Sequence, residues 1–400
     1  MAASQPLAGI RVLDLSRVLA GPLCAQALGD LGADVIKIEH PARGDDTRDW
    51  GMRVGTRNTS YFNSANRNKR SVCIDLQTED GRALVQRLAA SADILIQNFK
   101  PGGAEKLGLG YDALRERNPG LIYCSISGYS ALSPERHRPG YDLVIQGETG
   151  IMAMNGEPGQ GPLKFGVAAV DIFTGMNAAQ AILAVLYERT RTGCGRHVRM
   201  ALYDNGLAIT SYYGLAALLA RRDPPKFGNS HPAIVPYGVF EAKDGPLVVA
   251  VGNNGQFRRF CEQVIECPEL ADDPRFEKNI DRSQHRDILL PIIEAQLRHF
   301  ARDTLIERLQ QADIPCGMVY GLYEALLADR TTEAGMLHRF DDPEAGNQAI
   351  HAPPYVIDDR RMDVRLRPPH LGEHTAQVLQ ETLGLDEETL QRLRHGNVIQ

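Results

Sequence analysis

The sequence predicts an α/β protein with a parallel sheet in its first half. Patterns of buried strands alternate with helix patterns over the first 130 residues, and such alternation produces parallel sheets covered on both faces. Hydrophobic residues make up 43% and charged residues 24% of the chain, as in an ordinary globular protein. Because 400 residues exceed one simple core, we expect two lobes or one domain with a large insertion.

The elements of the first half follow from hydrophobic periodicity and from glycine or capping residues at their ends. They are strands at Gly9–Leu15, Asp34–Glu39, Ser71–Leu76, Asp93–Gln97 and Leu121–Ile126, and helices at Leu23–Gly32, from Thr78 to about Ser91 and at Tyr111–Arg117. Ligands bind at the carboxyl ends of parallel strands. We therefore expect the site in the loops at 16–20, 39–43, 75–78, 98–100 and 127–129.

The second half begins with a long helix from Asp171 to about Arg191. It is apolar on most of its circumference, which predicts burial on all sides. The later elements are a strand at 196–202, a Pro/Gly-rich linker at 221–230, a hairpin of Tyr237–Ala242 with Pro246–Val251, helices over 256–311, an extended connection at 340–370 and a last pair of helices.

Composition excludes several classes of function. The net charge of −6 argues against general binding to nucleic acid or anionic membranes, and no apolar run reaches about 18 residues. The N-terminal MAASQPLAGIRVLDL has no export-signal pattern. The seven scattered cysteines form no CxxC pair, so we expect no disulfide framework, no metal and a cytoplasmic location.

Two aspartates are candidates for chemistry. Asp171 follows an apolar run and opens the long helix, where free N–H groups and the helix dipole favour an ionised carboxylate able to act as a nucleophile. Asp142 lies in a turn before a predicted helix. Aspartate is a favoured N-cap residue, and most aspartates at such positions only cap a helix, which explains both residues without chemistry.

Basic residues stand near the predicted strand ends. His40 and Arg43 follow the second strand, and Asn66–Arg70 precede the third. Such residues pair with nucleotide phosphates, although a solvated charge run gives the same pattern. The turn after the first strand reads Ser-Arg-Val-Leu-Ala-Gly-Pro, which lacks the GxGxxG of dinucleotide-binding proteins.

Motifs in one order along almost the whole chain resemble the class III CoA-transferase family. They are GIRVLDLSRVLAGPLCAQALGDLGADVIKIEHP, GDDTRDWG, NRNKRSV, ILIQNFKPG, LGLGYDAL, PGYDLVIQGETG, VAAVDIFTGMNAAQAILAVL, RTGCGRHV, GNSHPAIVPYGVF, DIPCGMV and LGEHTAQVL. The resemblance implies that Asp171 attacks an acyl-CoA thioester. An aspartyl anhydride and then an aspartyl-CoA thioester would follow, with coenzyme A as part of the substrate and no metal. It also implies a lid over the site at GNSHPAIVP, which includes His231.

Further roles follow from the resemblance position by position. Asp142 matches a carboxylate beside the nucleophile. Leu19, which replaces a glutamine of formyl-CoA transferases, and Ala20 match a pair near the reacting carbonyl. The other matching CoA-binding positions are His40, Ile74, Asp75, Leu76, Gln77, Asn98, Phe99, Lys106, Arg138, Pro139, Gly140 and Tyr141.

The resemblance also implies an architecture. It predicts a Rossmann-like CoA-binding large domain at 1–220, a smaller α+β domain at 221–330 with flanking linkers, and a C-terminal segment at 331–400 that returns to the large domain. Two such chains would interlock as a homodimer.

Three matters stay open at this level. Succinyl-CoA and a C4–C6 dicarboxylate such as glutarate, hydroxymethylglutarate or itaconate fit the motifs best, with Arg17, Arg48 and Lys164 as candidate partners of a distal carboxylate. An acyl-CoA racemase of the same superfamily is an alternative, but Tyr141 stands where a racemase has its histidine base, and tyrosine is a poor base near neutral pH. A non-catalytic nucleotide-binding protein is the third interpretation.

Overall fold

A computed structural model describes residues 5–400. Residues 1–4 lie outside the described residues. The predicted large domain begins with them, as does the N-terminal stretch that was interpreted as lacking an export signal. The chain packs into two compact units. The first comprises the chain up to Ile151, Lys164–Leu215 and Asp329–Gln400, and the second comprises Met152–Leu163 and Ala216–Ala328. No pattern in the sequence indicated that residues 152–163 join the second unit.

The N-terminal half of the chain alternates strands and helices as predicted. The elements are β1 Arg11–Asp14, α1 Ala20–Asp30, β2 Asp34–Glu39, β3 Arg53–Val54, β4 Asn58–Thr59, α2 Ser60–Ser64, β5 Lys69–Cys73, α3 Glu79–Ala90, β6 Ile94–Gln97, α4 Gly103–Lys106, α5 Tyr111–Arg117, β7 Ile122–Ser127, α6 Asp142–Glu148, α7 Ile151–Met154, α8 Ala169–Thr192, β8 His197–Ala201, α9 Leu202–Ile209 and α10 Ser211–Ala220.

The remaining elements begin with the predicted hairpin. They are β9 Tyr237–Ala242, β10 Gly245–Ala250, α11 Asn254–Arg259, α12 Glu269–Asp272, α13 Asn279–Gln284, α14 Arg286–Leu297, α15 Arg302–Gln311, β11 Cys316–Met318, α16 Leu322–Leu327, α17 Asp329–Glu333, β12 Leu337–Asp342, β13 Gly346–His351, β14 Val356–Ile357, β15 Arg360–Arg361, α18 Thr375–Leu383 and α19 Glu387–His395. Residues 340–370 were predicted as an extended connection. They instead complete the antiparallel hairpin β12–β13 and form the smaller hairpin β14–β15.

The first unit is built on a six-stranded parallel sheet in the order β5-β2-β1-β6-β7-β8. This confirms the predicted α/β class. The chain moves outward from β1 to β5 on one side and then returns to β6 on the other, so β1 and β6 flank a topological switch point. Ligands of open parallel sheets bind in the crevice at such a point. The hydrophobic core of the unit includes side chains of α18 and α19, so the C-terminal helices belong to it.

The second unit has its own core under the three-stranded antiparallel sheet β11-β10-β9. Val249, Phe260 and Leu289 are among its fully buried side chains. Unbroken apolar packing of this kind is what an independent domain requires.

Helix α8 is buried on one face only. Val170, Thr174, Ala178 and Ile182 are buried at helical spacing, whereas other positions such as Ile172 and Met176 are exposed. The prediction of burial on all sides is therefore wrong for the single chain. By length and composition alone α8 would also suit a membrane crossing, a weak indication because packed core helices of soluble proteins have the same properties.

Candidate active site

Helix α8 carries Asp171 in its first turn, and a second aspartate caps that helix from a distance. The N-cap residue, Ala168, has no side-chain acceptor. The N–H groups of Val170 and Asp171 instead donate to Oδ1 of Asp142, at 2.9 and 3.2 Å. Gln146 donates to Oδ2 of Asp142 at 2.6 Å. The capping role therefore falls to Asp142, and within residues 5–400 the Asp171 carboxylate accepts no hydrogen bond.

This arrangement raises the pKa of the Asp171 carboxyl from 3.8 to about 7. Burial disfavours the charged form and is the larger cause, and the nearby Asp142 carboxylate adds like-charge repulsion. The sequence predicted that free N–H groups at the start of α8 favour an ionised Asp171. In the folded chain two of these N–H groups are bonded to Asp142 instead, so they do not offset the burial that raises the pKa of Asp171.

Asp171 lines a cavity of about 380 Å³, which we call the Asp171 cavity. Its walls come from the loops that follow β1, β6 and β7, together with the start of α8. Among the predicted site residues it contains Arg17, Leu19, Ala20, Asn98, Phe99, Arg138, Pro139, Gly140 and Tyr141. The cavity opens at the switch point between β1 and β6, where a ligand of a parallel sheet is expected.

The loop between β1 and α1 presents backbone donors to this cavity. Asn98 fixes the loop because its Oδ1 accepts from the N–H of Arg17 at 2.9 Å and its Nδ2 donates to the carbonyl of Arg17 at 2.8 Å. The N–H groups of Leu19 and Ala20 donate no hydrogen bond in the described part of the chain. Both residues line the cavity, and unbonded backbone N–H groups are the kind of donor that stabilises a carbonyl oxygen as it gains charge.

A glycine lets α8 approach this loop closely. Gly175 lies one turn after Asp171 on the same face of α8, and a Cβ there would be only 2.5 Å from the carbonyl oxygen of Ala20. Glycine is therefore required for α8 to pack directly on the start of α1. This contact sets the spacing between Asp171 and the N–H groups of Leu19 and Ala20.

A second cavity, of about 500 Å³, adjoins the first. We call it the His40 cavity, and it shares Arg17, Asp46, Phe99 and Lys100 with the Asp171 cavity. The other predicted CoA-binding residues that line it are His40, Ile74, Asp75, Leu76, Gln77 and Lys106. Basic side chains at its walls suit the phosphates of a nucleotide.

The C-terminal tail supports one wall of the His40 cavity. The N–H of Asp75 donates to the carbonyl of Val398 at 2.8 Å, and Ile74 forms an antiparallel bridge with Ile399. Val398 and Ile399 are themselves buried. The loop at 74–77 is thus held by residues more than 300 positions away in sequence, a contact that the sequence did not reveal.

Three predicted substrate residues do not line either cavity. Arg48 is fully buried and donates to both carboxylate oxygens of Glu39 at 2.7 Å, so it is a structural residue, in contrast to the prediction that it meets a distal carboxylate. Lys164 is exposed and donates to the carbonyls of Phe165 and Gly166. His231 belongs to the second unit, where its Nδ1 accepts from the N–H groups of Ala233 and Ile234.

Sequence reasoning did not single out Tyr61, which lines neither cavity. Burial raises the pKa of this phenol, and the negative charges of Asp171, Asp142 and Asp45 raise it further. Its ring also meets Trp50 edge-on, with ring centroids 5.8 Å apart. No local pattern marks Tyr61, since its relation to Asp171 exists only in the folded chain.

Within residues 5–400, no group of three or more His, Cys, Asp or Glu side chains is placed to hold a metal ion. The chemistry available at the Asp171 cavity is thus that of a half-buried carboxylate, two free backbone donors and basic groups at the rim. Such a set suits attack of a carboxylate on a carbonyl that is bound through a phosphorylated carrier.

Comparison with known proteins decides the family. A family model described as CoA-transferase family III matches residues 7–375. The chain belongs to this family. It is therefore an enzyme, a CoA-transferase, and an acyl-CoA serves as one of its substrates.

Individual relatives cover nearly the whole chain. A succinate–glutarate CoA-transferase of Agrobacterium fabrum is 40% identical over 97% of each chain, and a succinyl-CoA:glutarate CoA-transferase of Mus musculus is 36% identical over 99% of this chain and 91% of its own. The crystal structure of a CAIB/BAIF family protein from Brucella suis superimposes with a TM-score of 0.83 at 40% identity. That match covers 94% of this chain and 99% of the other. The predicted family and fold are confirmed.

Proposed function

We propose that this CoA-transferase moves CoA from succinyl-CoA to a C4–C6 dicarboxylate such as glutarate, hydroxymethylglutarate or itaconate. The names of the relatives from A. fabrum and mouse support the succinyl donor and the glutarate acceptor. The observation that carries the mechanism is the Asp171 carboxylate, which is half-buried, accepts no hydrogen bond within the described chain and lines a cavity at the switch point of the sheet.

The reaction runs through two kinds of covalent intermediate on Asp171. A carboxylate oxygen of Asp171 attacks the thioester carbon, the C–S bond breaks, and CoA departs as a thiolate. A mixed anhydride of Asp171 and the succinyl group remains. The thiolate then attacks the aspartyl carbon of the anhydride and releases succinate, which leaves an aspartyl-CoA thioester. The acceptor carboxylate attacks that thioester, and the freed thiolate finally attacks the acceptor carbonyl and restores Asp171.

The backbone donors stabilise the charged steps. Each attack turns a carbonyl into a tetrahedral oxyanion, and Leu19 and Ala20, which line the cavity that holds the carboxylate, have unbonded N–H groups within the described chain to stabilise it. Since these donors are fixed before the reaction, no reorganisation is needed when charge develops. The anhydride is sensitive to water, so bound substrate must exclude it from the cavity.

Arg17 is the cation best placed to meet the distal carboxylate. It lines the Asp171 cavity, and its guanidinium pairs with Asp46 at 3.2 Å in an exposed ion pair. Exposed pairs are worth only about 0–1 kcal/mol, so a substrate carboxylate displaces this partner at little cost. Arg48, in contrast, is committed to Glu39.

A donor–acceptor matrix tests the proposal. Succinyl-CoA is offered with glutarate, hydroxymethylglutarate, itaconate, oxalate and formate, and products are followed by mass spectrometry. Hydroxylamine trapping should modify Asp171 in the wild type and label nothing in Asp171→Asn, while Asp112→Asn, which changes an exposed aspartate in the first turn of α5, serves as the matched control. Full turnover by Asp171→Asn, or a label on another residue, contradicts the mechanism, and transfer confined to oxalate or formate contradicts the substrates.

We expect the active form to be a homodimer. Large apolar side chains of α8 and α9 are exposed in the single chain, among them Ile172, Met176 and Leu207. Adjoining exposed apolar side chains of this size are typical of surfaces that a partner covers. Light scattering on the purified chain tests this, and a mass near 44.0 kDa for the active species contradicts it.

A further inference from the structure

Beneath the loop that faces the Asp171 cavity lies a group of fully buried charges. It consists of Asp14 on β1, Lys37 on β2, Asp45 after β2 and Lys69 on β5, and each of their side chains is 0% exposed. Removing charges from water costs several kcal/mol for each ion, so a network of four needs compensation from close partners. Well-packed apolar side chains of similar volume in place of these four charged residues would make the core equally stable.

The two cations of this group, Lys37 and Lys69, bind the two ends of the loop between β1 and α1. Lys37 Nζ donates to the carbonyl of Ser16 at 2.9 Å, where the loop leaves β1. Lys69 Nζ donates to the carbonyl of Pro22 at 2.8 Å, in the first turn of α1, and to Asp14 at 2.9 Å. The segment 16–22 is thus attached at both ends to buried ammonium groups of neighbouring strands.

The centre of the loop is held in a strained conformation. Val18 has φ of 72°, a left-handed backbone region that a β-branched residue rarely adopts. Its N–H donates to Oδ1 of Asp45 at 3.2 Å, and Oδ2 of Asp45 lies 2.9 Å from Lys37 Nζ. The residues after Val18 are Leu19 and Ala20, whose N–H groups are unbonded in the described chain.

We infer that Lys37 and Asp45 are positioning residues, which hold Val18 in its left-handed conformation so that the N–H groups of Leu19 and Ala20 point at the carbonyl that Asp171 attacks. Both side chains are fully buried in the wall of the His40 cavity, and neither touches substrate in this scheme. Their effect passes through the backbone of the loop, and it rests on the proposed attack by Asp171. A misplacement of about 1 Å at a reacting centre can reduce a rate by about 100-fold.

The double variant Lys37→Met/Asp45→Ala tests the inference. It removes both charges together, so that neither is left buried without its partner, and it also removes the acceptor of the Val18 N–H. Between succinyl-CoA and glutarate we expect kcat to fall between about tenfold and 100-fold. The KM for succinyl-CoA should stay within about threefold, because Lys37 and Asp45 are fully buried in the wall of the His40 cavity and its basic residues Arg43, Lys100 and Lys106 are unchanged. A wild-type kcat in the folded variant contradicts the inference.

A matched control separates positioning from general loss of stability. Arg67 and Asp30 form another buried pair, at 2.6 Å, near the opposite end of α1. Arg67→Met/Asp30→Asn should lower the unfolding temperature by a comparable amount and leave kcat unchanged. An equal fall of kcat in both double variants shows that stability alone is responsible and overturns the inference.

Val18→Gly covers the case in which the charge variant does not fold. Glycine adopts positive φ without strain, so this variant should unfold at the same or a higher temperature. A more mobile loop should nevertheless reduce kcat about threefold to tenfold. Unchanged kcat in this variant contradicts the role of the held conformation.

Amide hydrogen exchange gives a readout that does not depend on the substrates. Peptides over residues 16–23 should exchange faster in both loop variants than in the wild type, and equal exchange contradicts the inference. If the wild type does not transfer CoA from succinyl-CoA to glutarate, the proposed substrates are wrong, and exchange still decides whether Lys37 and Asp45 fix the loop.

Discussion

Replacing Asp171 by asparagine should abolish transfer and at the same time stabilise the protein at alkaline pH. In the folded chain the pKa of Asp171 is about 7, against 3.8 when exposed. The native state therefore binds more protons than the unfolded state between these values. The free energy of unfolding of the wild type should fall as pH rises from about 4 to about 7. Above about pH 7 the carboxyl is ionised in both the folded and the unfolded state, so the destabilisation stays at its full value.

The size of this destabilisation follows from the pKa shift of Asp171. At about 1.36 kcal/mol per pH unit, a rise from 3.8 to about 7 corresponds to about 4 kcal/mol. Asp171 is only half-buried, so solvent screening reduces the expected gain on removing its charge to roughly 1–3 kcal/mol. Asparagine has nearly the same shape and no charge, so the gain appears only where the wild type is ionised.

Thermal unfolding at about pH 5 and about pH 8 measures this difference. Asp171→Asn should match the wild type more closely at the lower pH and unfold at a higher temperature at the upper pH. Asp112→Asn should show no such change with pH. If Asp171→Asn is no more stable than the wild type at about pH 8, the carboxylate is not a desolvated charge, and the reasoning about its pKa fails.

Three further results are expected. In the pH profile of kcat/KM, the fall on the acid side should lie near pH 7. Asp142→Asn should move this fall to lower pH, because it removes the Asp142 charge that raises the pKa of Asp171. An unchanged profile contradicts the electrostatic effect of Asp142 on Asp171. Gly175→Ala should lower kcat, and it should lower the unfolding free energy by about 1–3 kcal/mol, because the new Cβ meets the carbonyl of Ala20. Wild-type values for both would show that α8 can move away from α1 without cost. Deleting residues 397–400 should raise the KM for succinyl-CoA with little change in kcat, measured by initial rates, and an unchanged KM contradicts the bracing role of the tail.

Elements with strong local signals were predictable from the sequence. The strand Asp34–Glu39 and the helix Tyr111–Arg117 have the predicted bounds, and α8 differs from its prediction by two residues at its start and one at its end. Each has a regular apolar period and a glycine or polar residue at its boundary. The hairpin β12–β13 was missed because the prolines around it suggested an extended chain, although its own pairing runs from Leu337 to His351.

Long-range contacts at the site were not predictable. The sequence placed Asp171 and Asp142 near one another only through resemblance, and nothing local indicates that Asp142 caps a helix that starts 27 residues later. Likewise, Arg48 looked like a free cation until its partner Glu39 became visible. A charged residue has the same letter whether it is solvated or paired, so its role depends on tertiary partners that periodicity does not encode.

The cost of Asp171 explains why its surroundings are so tightly held. A carboxylate with a pKa near 7 is a stronger base than an exposed aspartate, and nucleophilic strength rises with basicity. In the proposed mechanism, an incoming acyl-CoA displaces water and makes the anion still less stable before attack. During attack the charge would move from the carboxylate to the former thioester oxygen, beside Leu19 and Ala20. On this proposal the ground state is poorly solvated while the transition state meets fixed donors, and this difference, rather than tight binding of substrate, lowers the barrier.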